Sequence, residues 1–155
     1  MKKILLGLAA VLAVVSLTAC QSAKPQDKSQ SVKLDVEELA QELMQAGGME
    51  TSTALDAAAL NLDESMVSAF AAYTSGAETA NRVYVFEVAN SDVTDKVKYI
   101  GEKEQDTVIN TFLPVKDENF EVAKTSRVLV NGKYVVFISV PKVDDAKAVF
   151  DSKFQ

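Results

Sequence analysis

Three features of this 155-residue chain predict an α+β fold, a four-stranded antiparallel sheet with helices packed on it. Four short runs of β-branched, aromatic or small apolar residues come in two pairs, each followed by a segment of helical period. Two of these runs flank Asn131-Gly132, the strongest short-range hairpin signal. Between the pairs, Val93, Val97, Ile100, Val108 and Phe112 fall on one helical stripe. The order along the chain is helix, strand, strand, helix, strand, strand, helix.

The first helix is read from Leu34, Val36, Leu39, Leu43 and Met44, and Gly47-Gly48 suits its C-terminal cap. Thr51 to Ser65 is alanine-rich, and Leu55, Ala58, Ala59 and Leu62 fit one short amphipathic helix. Val67 to Thr74 reads as a strand, Ser75-Gly76 as its turn, and Arg82 to Val88 as the clearest strand of the first half. Asn90 or Ser91 then supplies a side-chain acceptor for the start of the long helix, with Asp92 and Asp95 at its positive end. Pro114 helps to stop that helix, with Gly101 as a point of loosening inside it. Asp117 to Lys124 reads as an acidic connector. Arg127 to Val130 and Lys133 to Val140 follow as a hairpin pair, and Val143 to Phe154 as the last helix.

A weak internal echo runs through this order. Val85-Phe86, Lys96 and Tyr99 recur 51 residues later as Val136-Phe137, Lys147 and Phe150. The strands themselves are unusual for a sheet with one wet face. Tyr84, Phe86 and Val88 alternate with Val83 and Val85, and Tyr134, Val136 and Ile138 alternate with Val135 and Phe137, so both sides are apolar. One face is expected to meet the Val93–Phe112 helix and the last helix. Either the N-terminal helix covers the other, or that face binds something. A helix of twelve residues covers only part of four strands, so a shallow apolar groove is expected, rimmed by Tyr73, Tyr84 or Tyr134.

Ahead of this domain, Met1-Lys2-Lys3, an apolar run from Ile4 to Val15 and small residues ending in Ala19-Cys20 have the layout of a secretory signal. The run is shorter than the roughly 20 apolar residues that span a bilayer. Leu17-Thr18-Ala19-Cys20 resembles the bacterial lipobox, which implies a diacylglyceryl group on the Cys20 thiol and removal of residues 1–19. Residues 20–33 are then a lipidated cysteine and a polar tether, too poor in apolar residues to fold alone. Residues 34–155 form the single folded domain. With no other cysteine, the domain contains no disulfide.

Charge narrows the partners. Removal of the signal takes Lys2 and Lys3 with it, and the net charge moves from −6 to −8. Nucleic acid is not expected as a partner, because phosphates need a basic footprint. The domain body is not expected to lie on an anionic bilayer, so attachment to the membrane falls to the lipid on Cys20.

Val-Tyr-Val-Phe-Glu-Val (83–88), Asn-Gly-Lys-Tyr-Val-Val-Phe-Ile-Ser (131–139) and Ala-Tyr-Thr-Ser-Gly-Ala-Glu-Thr (72–79), with a helix after each strand pair, resemble a family of small bacterial lipoproteins. That family is known mainly from low-GC Gram-positive bacteria and is catalogued as a domain of unknown function. The resemblance spans roughly Leu39 to Phe154. It implies the anchored α+β domain already described, and it brings no catalytic residue, ligand or partner.

Much catalytic chemistry lacks its side chains. The chain has no histidine, which removes histidine-activated nucleophiles and the usual zinc sites. No Gly-rich phosphate loop or calcium-loop spacing is present. Ser139-Val-Pro-Lys142 matches the S-x-x-K spacing, but Pro141 ends a strand where that motif needs a helix start. The carboxylate groups at Glu102-Glu104-Asp106, Asp117-Glu118-Glu121 and Asp144-Asp145 read as solvated surface or helix starts. No catalytic residue, metal ligand or cofactor is therefore assigned. The expected function is a lipid-anchored extracytoplasmic module binding an envelope protein or an apolar small molecule. An envelope enzyme using carboxylate or serine–lysine chemistry is the alternative.

Replacing Cys20 with alanine is expected to leave the precursor unlipidated and incompletely processed. Mass spectrometry of the native protein checks this; an unmodified Cys20 with cleavage elsewhere would end the lipoprotein reading.

Overall fold

At the centre of the sheet, strands β3 (Arg82–Val88) and β5 (Tyr134–Ser139) pair antiparallel, with Val85 opposite Val136 and Tyr84 opposite Phe137. The computed structural model describes residues 32–155, so the signal segment, Cys20 and the tether up to residue 31 lie outside the described residues. Both central strands are buried along almost their whole length. Strand β2 (Val67–Thr74) flanks β3, and β4 (Arg127–Asn131) flanks β5. A fifth strand, the two-residue β1 (Thr53–Ala54), adds to the outer edge of β2. The sheet therefore has five strands rather than four, all antiparallel, in the order β1-β2-β3-β5-β4.

Four helices cover it: α1 (Val36–Gly47), α2 (Thr94–Phe112), α3 (Glu118–Thr125) and α4 (Val143–Ser152). The observed order is helix, three strands, two helices, two strands, helix. Val83, Val85, Tyr134, Val136 and Ile138 pack against α1 and α4. Tyr84, Phe86, Val88, Val135 and Phe137 pack against α2, α3 and the segment between Leu55 and Met66. The sheet is thus the middle of three layers. Among the described residues, both clusters draw on the span from Leu34 to Phe154, and each face of the sheet is covered from within it.

The glycine cap expected at the C-terminal end of α1 is present, and Asp35, which the sequence reading did not single out, caps its start. Asp35 Oδ1 accepts from the Glu37 and Glu38 amides at 2.9 and 3.1 Å, satisfying donors that a helix start leaves free. At the other end Gly48 takes φ +75°, and the Met49 amide reaches back to the Met44 carbonyl at 2.9 Å, a Schellman closure. The link between β5 and α4 then holds the end of the helix: the Lys142 amide donates to the Gly47 carbonyl at 3.0 Å, directly after Val140 passes under Gly47. This contact sends α4 to the α1 face, where Val143, Ala146 and Phe150 join the same cluster. The expectation that α4 shares a face with α2 is corrected on this ground.

The 51-residue echo is real only within the strands. Val85 and Val136 are direct partners, so a local two-fold axis normal to the sheet relates the two central strands. Such an axis keeps each face on its own side. The helices that follow lie on opposite faces, α2 on one and α4 on the other, so the echo stops where they begin.

Three further corrections are local. Asp117 to Lys124 contains α3, not a connector; Asp117 caps it by accepting from the Phe120 amide at 3.2 Å. Residues 55–62 form no α-helix: Asp56 and Asp63 hold turns instead, and Asn61 has φ +49°. The α2 helix is continuous through Gly101, whose missing side chain admits Val128; a Cβ there would lie 3.3 Å from its methyls.

The hairpin is tight, but its turn residues are Gly132-Lys133, since Asn131 still pairs with Tyr134. Gly132 has φ +55°, and neither Asn131 nor Lys133 is in the left-handed region. Positive φ at the first central position alone is the II′ pattern rather than I′.

Gly132→Val is expected to lower stability by about 1–3 kcal/mol, because a β-branched residue resists that φ. Gly47→Ala tests the contact of α1 with Val140, just past β5, with opposite signs on the two sides. Helix propensity alone makes it stabilising by up to about 1 kcal/mol. A Cβ at 2.5 Å from Val140 Cγ2 makes it destabilising by about 1–3 kcal/mol, which is the expected outcome in urea unfolding.

Candidate ligand cleft

The three tyrosines expected on one rim are separated. Tyr73 and Tyr134 lie on the α1 face, and Tyr84 on the α2 face. Tyr134 is buried; its hydroxyl accepts from the Leu34 amide at 2.7 Å, and its ring sits 6.0 Å from that of Phe154. Tyr73 is half-buried and donates its hydroxyl to Glu37 of α1, which raises its pKa, with partial burial and the Glu37 charge adding. Together α1 and α4 cover the face that sequence reasoning left open. Of the three, Tyr84 lines a cleft formed by the described residues.

That cleft, about 310 Å³, lies between α2 and the turn at residues 57–61. One wall is the α2 face carrying Tyr99, Ile100, Lys103, Glu104 and Thr107, which helical spacing brings together one turn apart. The other wall is Ala59, Leu60 and Asn61. This turn is held from both ends. Asp56 Oδ1 accepts from the Ala59 amide at 2.8 Å, and the Leu62 amide donates to the Ala57 carbonyl at 2.9 Å. Ala57 and Leu62 are buried below it, which fixes its position against the sheet.

The floor is an ordered polar group. The Tyr84 ring packs 5.5 Å from Phe137 and 6.4 Å from Phe86, and its hydroxyl donates to Glu104 Oε1 at 3.2 Å. Arg82 Nε meets the same oxygen at 2.9 Å, while its other end donates to the Thr79 carbonyl at 2.7 Å. Burial pushes the Tyr84 pKa well above its usual value; the nearby Glu104 charge adds to the shift and Arg82 opposes it. The phenol is therefore a fixed neutral donor, and the carboxylate has its counter-charge beside it.

Other candidates are less enclosed. A depression of about 580 Å³ is lined, among the described residues, by Asp35, Glu37, Glu38, Gln41, Glu42 and Gln45, all on or beside α1. Among the described residues, no group of three or more metal-ligating side chains converges, and no helix is long and apolar enough to cross a membrane. Ser139 is fully buried and Lys142 is on the surface, so the S-x-x-K spacing assembles no open nucleophile.

Of the cleft residues, sequence reasoning singled out Tyr84 as a candidate. It treated Glu104 as one of a solvated trio, and it gave no site role to Arg82, Tyr99 and Lys103. One signal was available: Tyr99 and Lys103 share a helix face bordering the buried stripe of Val97 and Ile100. The turn that forms the opposite wall has no comparable sequence pattern.

Comparison with known proteins yields one family. No curated protein and no solved structure matches the chain. A family model matches residues 50–140, a span narrower than the expected Leu39 to Phe154. It takes in all five strands, α2 and α3, and leaves out α1 and α4. With the sheet and every cleft-lining residue inside the matched span, the chain belongs to the family described as Domain of unknown function (DUF4358).

Proposed function

We propose that this protein is a bacterial lipoprotein, held on the extracytoplasmic side of the membrane by lipid on Cys20, and that it binds a small, partly apolar ligand in the cleft above Tyr84. The anchor rests on the lipobox-like ending at Leu17–Cys20 and the polar tether behind it. At full extension, the thirteen tether residues reach about 45 Å, enough to hold the domain clear of the bilayer.

The observation that carries the binding function is the cleft itself. It has two facing walls from different parts of the chain, each mixing apolar and polar side chains, and a polar floor whose groups are already oriented, as in small-molecule sites. At about 310 Å³ it suits a compact molecule of one or two rings. An acid–base enzyme is less well supported by this geometry. Among the described residues, Glu104 is the one carboxylate lining the cleft, and it is engaged by both Arg82 and Tyr84 rather than paired with a second acid.

The neutral fluorescent probe N-phenyl-1-naphthylamine is expected to bind residues 32–155 saturably, at one site. Ala59→Trp and Thr107→Trp, each at an exposed wall position, are expected to abolish this binding without loss of fold. Absence of saturable binding, or binding that survives both tryptophans, would sink the cleft as the site.

A further inference from the structure

Resting on the cleft being a binding site, we infer that its ligand is an amphipathic anion, a flat apolar body carrying one negative group that pairs with Lys103.

Charge bookkeeping inside the cleft favours an anion over a cation. The floor is internally neutral: Glu104 and Arg82 meet at 2.9 Å, and the Tyr84 hydroxyl adds a neutral donor to the same oxygen. One turn away on α2, Lys98 and Glu102 pair with each other at 2.7 Å. Lys103 forms no ion pair among the described residues, although it lines the cleft. The cleft therefore carries one uncompensated positive charge in a chain whose net charge is −6. A cationic ligand would have to displace Arg82 from Glu104 while facing Lys103. An anion needs neither.

The apolar part is read from Tyr99. Its side chain is 63 % exposed, the most open aromatic ring among the described residues, and it stands four positions before Lys103 on the same helix face. A flat group laid on that ring would place its own polar end within reach of the ammonium. Leu60 and Ile100 close the sides with apolar surface. Asn61 completes the opposite wall in a left-handed conformation, φ +49°, that asparagine tolerates better than most residues and that brings a short amide to the rim.

A matched pair of probes tests this. N-phenyl-1-naphthylamine and 8-anilinonaphthalene-1-sulfonate share one ring system and differ by the sulfonate. With residues 32–155, the sulfonate is expected to bind about tenfold more tightly, as a charge-assisted contact implies, and to weaken as salt is raised. Lys103→Gln should erase that preference, bringing the sulfonate's affinity down to that of the neutral probe, Lys103→Arg should retain it, and Tyr99→Ala should weaken both probes. Ala59→Trp should remove the sulfonate probe, which excludes attachment elsewhere. Equal affinity for the two probes, or a sulfonate affinity that Lys103→Gln leaves unchanged, overturns the anion inference and leaves the cleft standing as a binding site. Failure of both probes to bind overturns the inference and the binding reading together.

Discussion

A sheet whose central strands are apolar on both faces has to be covered twice, and most of this structure follows from that requirement. The β3–β5 pairing puts Tyr84, Phe86, Val135 and Phe137 on one side and Val83, Val85, Val136 and Ile138 on the other. Leaving either set in water would forgo about 1.5–3 kcal/mol for each large side chain. One helical layer comes from the middle of the chain and one from its two ends. Each layer approaches the sheet through a glycine: Gly101 over Val128 and Phe137, and Gly47 over Val140. Small residues at these points let helices lie close where a larger residue would hold them off.

The cleft is a by-product of the same requirement. On the α2 face, the helix and α3 serve the β4–β5 side, and an irregular segment carrying Leu55, Leu60, Leu62 and Met66 finishes the cover beside β2 and β3. A turn and a helix do not interdigitate along a common axis as two helices do. The space left between them is floored by Tyr84, the residue where the apolar face of β3 gives way to Arg82. Packing and ligand access are thus decided by one irregular stretch of about a dozen residues.

What the sequence disclosed, and what it hid, divides along local and non-local physics. The β2 and β3 boundaries, the glycine-capped end of α1 and the presence of the β4–β5 hairpin were legible because alternation and glycine turns act within a few residues. The α3 helix was missed because its eight residues bury only Val122 and Ala123 fully, while its acidic first turn resembles a solvated connector. Strand β1 was invisible: two exposed residues are a strand only because Thr74 and Tyr73 lie alongside. The cleft shared this difficulty. Its floor couples Arg82 to Glu104 and its walls join residues 59–61 to 99–107, separations that no local pattern encodes. Assigning helices to faces failed for the same reason, since the Gly47–Lys142 contact that directs α4 spans almost the whole domain.

The position of β5 in the sheet also sets a timetable. It is the last strand in the chain, yet it occupies a place between β3 and β4, and α4 follows it to complete the layer begun by α1. Until Tyr134–Ser139 has been made, β3 has a partner on one edge only, and β4 has none. Neither hydrophobic cluster can close early, because each contains residues of β5. Closure of the sheet therefore waits for the last of its five described strands, with slow, non-local pairing completing it. Compaction is thus set to follow synthesis of the whole sheet rather than to accompany it, since neither face can be covered strand by strand.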